Sequence, residues 1–211
     1  MNIINESVDE IVNENSIYDK NIKTWDELNL NTDILRGIYA YGFENPSPIQ
    51  CKAILPILEN KNVIAQAQSG TGKTGAFTIS ALSKLNLSNN TTQVLILTPT
   101  RELTIQITKV IRGISTMMNH INIKTLVGGS SVDRDIMDLK KNPPHIIVGC
   151  MGRVYDMLCR KALNYKHIKL LIVDEADEML TSGFKLQLQS IFEYLNEDIQ
   201  IALFSATMPS H

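Results

Sequence analysis

Residues 63–77 read VIAQAQSGTGKTGAF. A short apolar and β-branched run, Val63–Ala67, gives way to Ser69-Gly70-Thr71-Gly72-Lys73-Thr74 and then to the opening turn of a helical stretch. Strand, glycine-rich turn and helix in that order build an anion cradle. N–H groups of the turn and of the helix N-terminus point at one spot, and the helix dipole adds partial positive charge there. Glycine permits the turn and lets a phosphate come close to the chain. Lys73 brings a point charge to terminal phosphates, and the Thr74 hydroxyl can complete a Mg²⁺ shell. The general spacing G-x-x-x-x-G-K-[ST] asks for glycine at position 67, where this chain has Ala67. The segment Ala67, Gln68, Ser69, Gly70, Thr71, Gly72, Lys73 and Thr74 is therefore the candidate nucleotide-binding loop. By itself it names neither the base nor the reaction.

Similar short runs recur on the C-terminal side of that loop: Val94–Thr98, Ile123–Val127, His145–Val148, Leu170–Val173 and Ile201–Phe204. Several are apolar at nearly every position, as expected of strands covered on both faces. Between them apolar residues fall at helical spacing, for example Leu103, Ile107, Val110, Ile111 and Ile114. Strands alternating with helices imply an α/β fold, a mostly parallel β-sheet with helices on both faces in three layers. Such sheets bind ligands beyond the carboxyl ends of their strands, so a motif just after a strand stands where chemistry occurs. This unit runs over residues 23–211. Residues 1–22 mix Asn, Ser and acidic side chains and read as a flexible tail, with a short helix over Glu6–Val12 as the alternative.

The 211 residues, 44% hydrophobic and 20% charged, have the make-up of an ordinary soluble globular domain. A formal net charge of −2 means that any nucleic-acid contacts must be local basic ones. The three cysteines, Cys51, Cys150 and Cys159, form no CxxC pair and suit reduced thiols of the cytoplasm or nucleus. None of the four histidines stands at metal-ligand spacing from a cysteine, which argues against zinc. The start, MNIINESVDE, lacks the features of a signal peptide, and no apolar run approaches membrane-spanning length.

A second motif, LLIVDEADEML at residues 170–180, sets Asp174 at the end of a buried-strand pattern with Glu175 beside it. Near a phosphate site, a carboxylate at a neighbouring strand end holds the water shell of Mg²⁺, and an adjacent acid orients or deprotonates an attacking water. Asp177 and Glu178 taken alone fit a solvated acidic helix start.

Asp174-Glu175-Ala176-Asp177 spells the tetrad of the DEAD-box ATP-dependent RNA helicases, and AQSGTGKT (67–74) resembles that family's phosphate loop, alanine included. Further similar stretches follow in family order: GFENPSPIQ (42–50), PTREL (99–103), GG (128–129), GR (152–153) and SAT (205–207). LRGIYAYGFENP (35–46), AQAQSGTGKT (65–74) and Ile172–Leu180 most resemble the translation initiation factor four-A branch. The resemblance implies a RecA-like P-loop NTPase domain with ATP and Mg²⁺ as cofactors. Lys73, Asp174 and Glu175 would be catalytic, and Thr74 and Asp174 would hold the ion partly through water. Gln50 would contact adenine through both ends of its amide, and Trp25 would pack on the base, although taken without the resemblance this tryptophan reads as a core residue. Ser205 and Thr207 would couple the nucleotide site to the rest of the machine by way of Asp177. Pro99, Thr100, Arg101, Gly128, Gly129, Gly152 and Arg153 would form a face that grips RNA by its backbone, without regard to sequence.

One departure stands out. Where the family has Thr-Pro before Gly-Arg, this chain has Cys150-Met151, which removes a hydroxyl cap and a helix-starting proline and predicts either weaker RNA contact or a looser helix start at Gly152. Family members carry a second domain of the same type, so the chain reads as the N-terminal half of a monomeric helicase. Its implied partners are RNA, that second domain and an initiation-factor scaffold protein, in the cytoplasm or the nucleus. On its own the chain is expected to bind adenine nucleotide weakly and to turn over little ATP. Two rivals remain at this stage: a phosphate-loop ATPase that does not act on nucleic acid, and a catalytically silent helicase-like scaffold.

Overall fold

The computed structural model describes residues 10–12, 22–181 and 183–207. Seven strands form one sheet: β1 (Glu10–Val12), β2 (Val63–Gln66), β3 (Val94–Thr98), β4 (Ile123–Leu126), β5 (Ile146–Cys150), β6 (Leu170–Val173) and β7 (Gln200–Ser205). Their order is β1-β2-β7-β6-β3-β5-β4, and every pairing is parallel. Eight α-helices complete the described chain: α1 (Thr32–Ala40), α2 (Pro48–Leu58), α3 (Lys73–Ser83), α4 (Arg101–Ile114), α5 (Val132–Lys141), α6 (Met151–Cys159), α7 (Ala176–Thr181) and α8 (Lys185–Phe192).

The period-2 alternation of the strands divides the core into two layers. Val94, Ile96, Ile146, Val148, Leu170 and Ile172 face a cluster with α1–α4, whereas Leu95, Leu97, Ile147, Leu171 and Val173 face one with α5–α8. This is the three-layer sandwich that the alternating strands and helices imply, in keeping with the RecA-like domain that the family resemblance implies. β3 is buried at all five positions, which is why Val94–Leu97 is apolar at every residue rather than alternating.

The edge strand corrects the expectation of a tail over residues 1–22. Glu10–Val12 pairs in register with Val63–Ala65, and Val12 is fully buried in the first core layer. Pairing satisfies backbone groups along β2 that would otherwise lie open at the sheet edge. The alternative of a helix over Glu6–Val12 fails at residues 10–12 for the same reason, and the remainder of both expectations lies outside the described residues.

The strand order has a consequence for function. At the carboxyl end of the sheet, β2, β7 and β6 are adjacent and carry the loops beginning at Ala67, Ala206 and Asp174. Next to them β3 and β4 carry the loops with Pro99 and Gly128, and β5 runs straight into the first turn of α6 with Gly152. The motif-bearing loops thus fall on one rim in two neighbouring groups.

Candidate active site and strand-binding rim

The glycine-rich loop connects β2 to α3. Gly72 precedes Lys73 with φ +105°, a conformation that side chains rarely adopt, and a Cβ there would stand 2.7 Å from Ser47 Oγ and 2.8 Å from Gln50 Nε2. Gly72 is therefore required twice, by the turn and by the segment that closes over it. Thr71 Oγ1 donates to Gln68 O at 2.7 Å and tightens the loop from within. Gln68, Ser69 and Gly70 are exposed at its tip, whereas Thr74 is half-buried.

Lys73 is buried, and its Nζ donates to Ala67 O at 2.9 Å. The same nitrogen lies 3.9 Å from Glu175 Oε1. The lysine and the acidic pair thus converge although they stand on β2 and β6, two strand spacings apart, or about 10 Å of sheet. Asp174 is buried at the end of β6, its N–H donating to Leu97 O at 3.0 Å, and its Oδ1 has no hydrogen-bond partner among the described residues. Burial, reinforced by the charge of Glu175, pushes its carboxyl up to about 7. Glu175 itself adopts φ +49°, the left-handed turn that separates β6 from α7.

An orphaned carboxylate oxygen beside a buried lysine fits a hard, oxygen-seeking cation. Mg²⁺ takes few protein ligands and completes its shell with water and phosphate. Asp174 and the Thr74 hydroxyl are the groups that would hold it.

The third loop ties into the second. Asp177 Oδ2 accepts from Thr207 N at 3.0 Å and from Thr207 Oγ1 at 2.6 Å. Burial works to raise the Asp177 carboxyl, but the hydrogen bonds from Thr207 and Ser205 outweigh it and hold the group below its ordinary range. Ser205 Oγ donates to Thr207 O at 2.5 Å, and Ala67 N donates to Ser205 O at 3.1 Å. A continuous set of contacts therefore runs from Asp177 through Thr207 and Ser205 to the start of the phosphate loop.

Gln50 lies against the same loop. Its Oε1 accepts from Ser47 N at 2.7 Å and its Nε2 donates to Gly72 O at 3.1 Å. An amide has two acceptor and two donor sites, so one lone pair and one N–H remain for a ligand. Trp25 requires a correction. The ring is fully buried, its Nε1 donates to Phe43 O at 3.1 Å, and it offers no face to a base. Phe43 is the aromatic at this corner: it stacks on Trp25 at 6.3 Å between centroids, is half-buried, and its Cε2 lies 2.9 Å from where a Cβ on Gly75 would stand. Its position inside GFENPSPIQ, seven residues before Gln50, was the available signal.

On the other half of the rim Thr100 caps α4, accepting from Leu103 N at 3.2 Å, and Pro99 precedes it half-buried. Arg101 is exposed and donates from Nη1 to Gly128 O at 2.7 Å. Gly128 and Gly129 are exposed beside it, and Gly152 is exposed in the first turn of α6. Arg153 differs from the sequence-based expectation of a phosphate contact. Its side chain is nearly buried and donates to Ser130 Oγ at 2.9 Å, to Ser130 O at 3.0 Å and to Asp135 Oδ2, so its guanidinium is built into the fold. Cys150 occupies the cap position of α6 without a capping hydrogen bond, its Sγ 3.2 Å from Thr104 Oγ1, and Met151 is buried in the second core layer.

A family model described as DEAD/DEAH box helicase matches residues 47–211. The chain belongs to that family. ATP-dependent RNA helicase eIF4A of Debaryomyces hansenii is 50% identical over 192 residues, 91% of this chain and 48% of its own length. Eukaryotic initiation factor 4A of Cryptosporidium parvum is 51% identical over 195 residues, 92% of this chain and 48% of its own. Among solved structures, a DEAD box protein from the hyperthermophile Methanococcus jannaschii superimposes with a TM-score of 0.84 at 41% identity, covering 89% of this chain and 51% of that one. S. cerevisiae Dbp5 bound to RNA and ADP BeF3 superimposes with a TM-score of 0.79 at 38% identity, covering 88% and 47%. The chain spans about half the length of the curated relatives it matches. Within this DEAD-box domain, the acidic tetrad that names the family is the Asp174–Asp177 turn, one end of which faces Lys73 and the other Thr207.

Proposed function

We propose that this chain is the ATP-binding half of an ATP-dependent RNA helicase, and that the whole protein couples ATP hydrolysis to the grip and release of single-stranded RNA. One observation carries the reading: the sheet order gathers the phosphate loop, the acidic pair and the Ser205–Thr207 turn onto adjacent strands and sets the Arg101–Gly128 surface directly beside them. ATP docks with its phosphates on residues 67–74 and its adenine at Gln50, with Phe43 in the place first given to Trp25. Asp174 and Thr74 would hold Mg²⁺, which would supply neutralisation of phosphate charge. Lys73 holds the terminal phosphate, and Glu175 orients the attacking water and accepts its proton. Asp177, Thr207 and Ser205 transmit the state of that site along the rim. Arg101 and the bare backbone of the glycine loop contact phosphates and sugars rather than base edges, so binding is indifferent to sequence. A second helicase domain closes over both ligands and supplies arginines to the γ-phosphate.

The names of the half-identical relatives support a role in translation initiation, hence a cytoplasmic site of action and an initiation-factor scaffold as partner. The test is ATP turnover by the full-length protein with and without single-stranded RNA. RNA should raise turnover, and Glu175→Gln should lower it by about 10²–10⁴-fold while ATP still binds. Turnover indifferent to RNA would instead favour an ATPase that does not act on nucleic acid. Failure to bind Mg·ATP at all would favour a silent scaffold.

A further inference from the structure

A buried charged cluster lies beneath the glycine loop of the rim. Asp135, in the first turn of α5, is only 3% exposed. Its Oδ1 lies 2.9 Å from Lys124 Nζ on β4, and its Oδ2 accepts from Ser130 Oγ at 3.0 Å and pairs with Arg153 on α6. Lys124 also reaches Asp138 at 2.7 Å. One carboxylate therefore joins β4, the loop that follows it, α5 and α6.

Buried ion clusters stabilise little compared with apolar packing of the same volume, because desolvation offsets most of the Coulomb gain. A fully satisfied polar network does, however, hold its members in one arrangement. The arrangement held here is that of the loop. Arg153 and Asp135 fix Ser130 from below, while Arg101 fixes Gly128 O from the rim. Between them Gly129 has φ +82°, and Arg101 Nη1 stands 2.7 Å from where its Cβ would be. The direction in which this backbone presents its N–H groups is set from both sides.

We propose that Asp135 is a positioning residue for the RNA strand. It locks Arg153 and Ser130 so that the Gly128–Gly129 backbone faces the strand, and Arg153 serves RNA through this loop rather than by touching a phosphate. The inference rests on the proposed reading of this rim as the RNA face.

Electrostatics and geometry predict opposite signs. Asp135 is a negative charge under a phosphate-binding loop, so by charge alone its removal tightens RNA binding; if it positions the loop, its removal weakens binding. Removing a phosphate contact also lowers the salt slope of binding by about 1, which removing a positioning residue does not.

The experiment is fluorescence anisotropy of a short single-stranded oligouridylate with the full-length protein and a non-hydrolysable ATP analogue, across a salt series. Asp135→Asn should raise the RNA Kd roughly tenfold with the salt slope unchanged, and Asp135→Glu should recover most of the loss. Arg153→Gln should weaken binding without lowering the slope. Ser130→Ala alters an exposed loop position and should cost roughly threefold, so it keeps the test available if Asp135→Asn does not fold. Unchanged or tighter binding in Asp135→Asn and Ser130→Ala, or a slope lowered by about 1 in Arg153→Gln, overturns the positioning role. Arg101→Ala separates the two levels. If it weakens binding while the Asp135 and Ser130 variants do not, only the positioning role fails; if it too leaves affinity intact, the strand lies elsewhere and the functional reading fails with it.

Discussion

Asp174, buried at the end of β6, carries an oxygen with no partner among the described residues, and its carboxyl is pushed up to about 7. A group whose folded pKa lies above its unfolded value disfavours folding wherever the unfolded chain ionises first. The domain therefore loses stability as pH rises from about 4 to about 7, and the loss is complete above that range. Asp174→Asn keeps the shape and removes the charge. In the nucleotide-free chain it should raise the urea midpoint at pH 8, by an amount equivalent to about 1–3 kcal/mol, and change little at pH 4. The same substitution should weaken Mg·ATP binding, because the orphaned oxygen is the one the ion would use. Equal midpoints for parent and variant at pH 8 would show that the buried charge is compensated in another way. None of this strain is legible in LLIVDEADEML, which shows only a carboxylate after an apolar run. Burial and the neighbouring charge come from the fold.

The rim elements divide between what local pattern encodes and what it does not. β3 and β6 are evident from unbroken apolar runs, and the start of α3 from Gly72-Lys73-Thr74. β1 was not evident, because a three-residue strand with one buried apolar side chain has no period to detect; only its pairing with β2 defines it. The partnership of Arg153 with Asp135 was equally hidden, since eighteen residues and a strand separate them. The start of α6 shows the same division. The sequence signals a missing cap at Cys150, and the structure shows that the Cys150 side chain makes no capping hydrogen bond. It also shows Met151 packed in the core, so a proline there would forfeit apolar contacts that sequence reasoning did not count. Cys150→Thr alone should therefore be the better repair. It should stabilise the domain by about 0.5–1 kcal/mol through the cap, read as a rise in melting temperature. It should also tighten RNA binding by the full-length protein. A stabilised domain with unchanged RNA affinity would confine the effect of Cys150 to the helix.

Over the whole molecule, the fold sets two groups of motif-bearing loops on one rim and joins them at a single sheet. On the proposed reading the β2-β7-β6 group serves the nucleotide and the β3-β5-β4 group the RNA strand; β6 and β3 are paired along Val94–Leu97 at the seam. Ligands on both groups that favour the same closed arrangement must strengthen each other's binding, and by linkage the effect is reciprocal. On that reading a second helicase domain supplies the other wall of each site, so these 211 residues alone should bind adenine nucleotide weakly and show little RNA-stimulated turnover. An arginine contributed across a domain interface can be worth about 10³–10⁵ in rate for phosphoryl transfer. The most direct measurement is RNA affinity of the full-length protein, by anisotropy, with Mg²⁺ present and a non-hydrolysable ATP analogue either absent or saturating. The analogue should tighten RNA binding by about tenfold or more, a coupling of at least about 1.4 kcal/mol, and Lys73→Ala should abolish the gain. An RNA Kd that is the same with and without the analogue would mean that the two halves of the rim do not work as one machine.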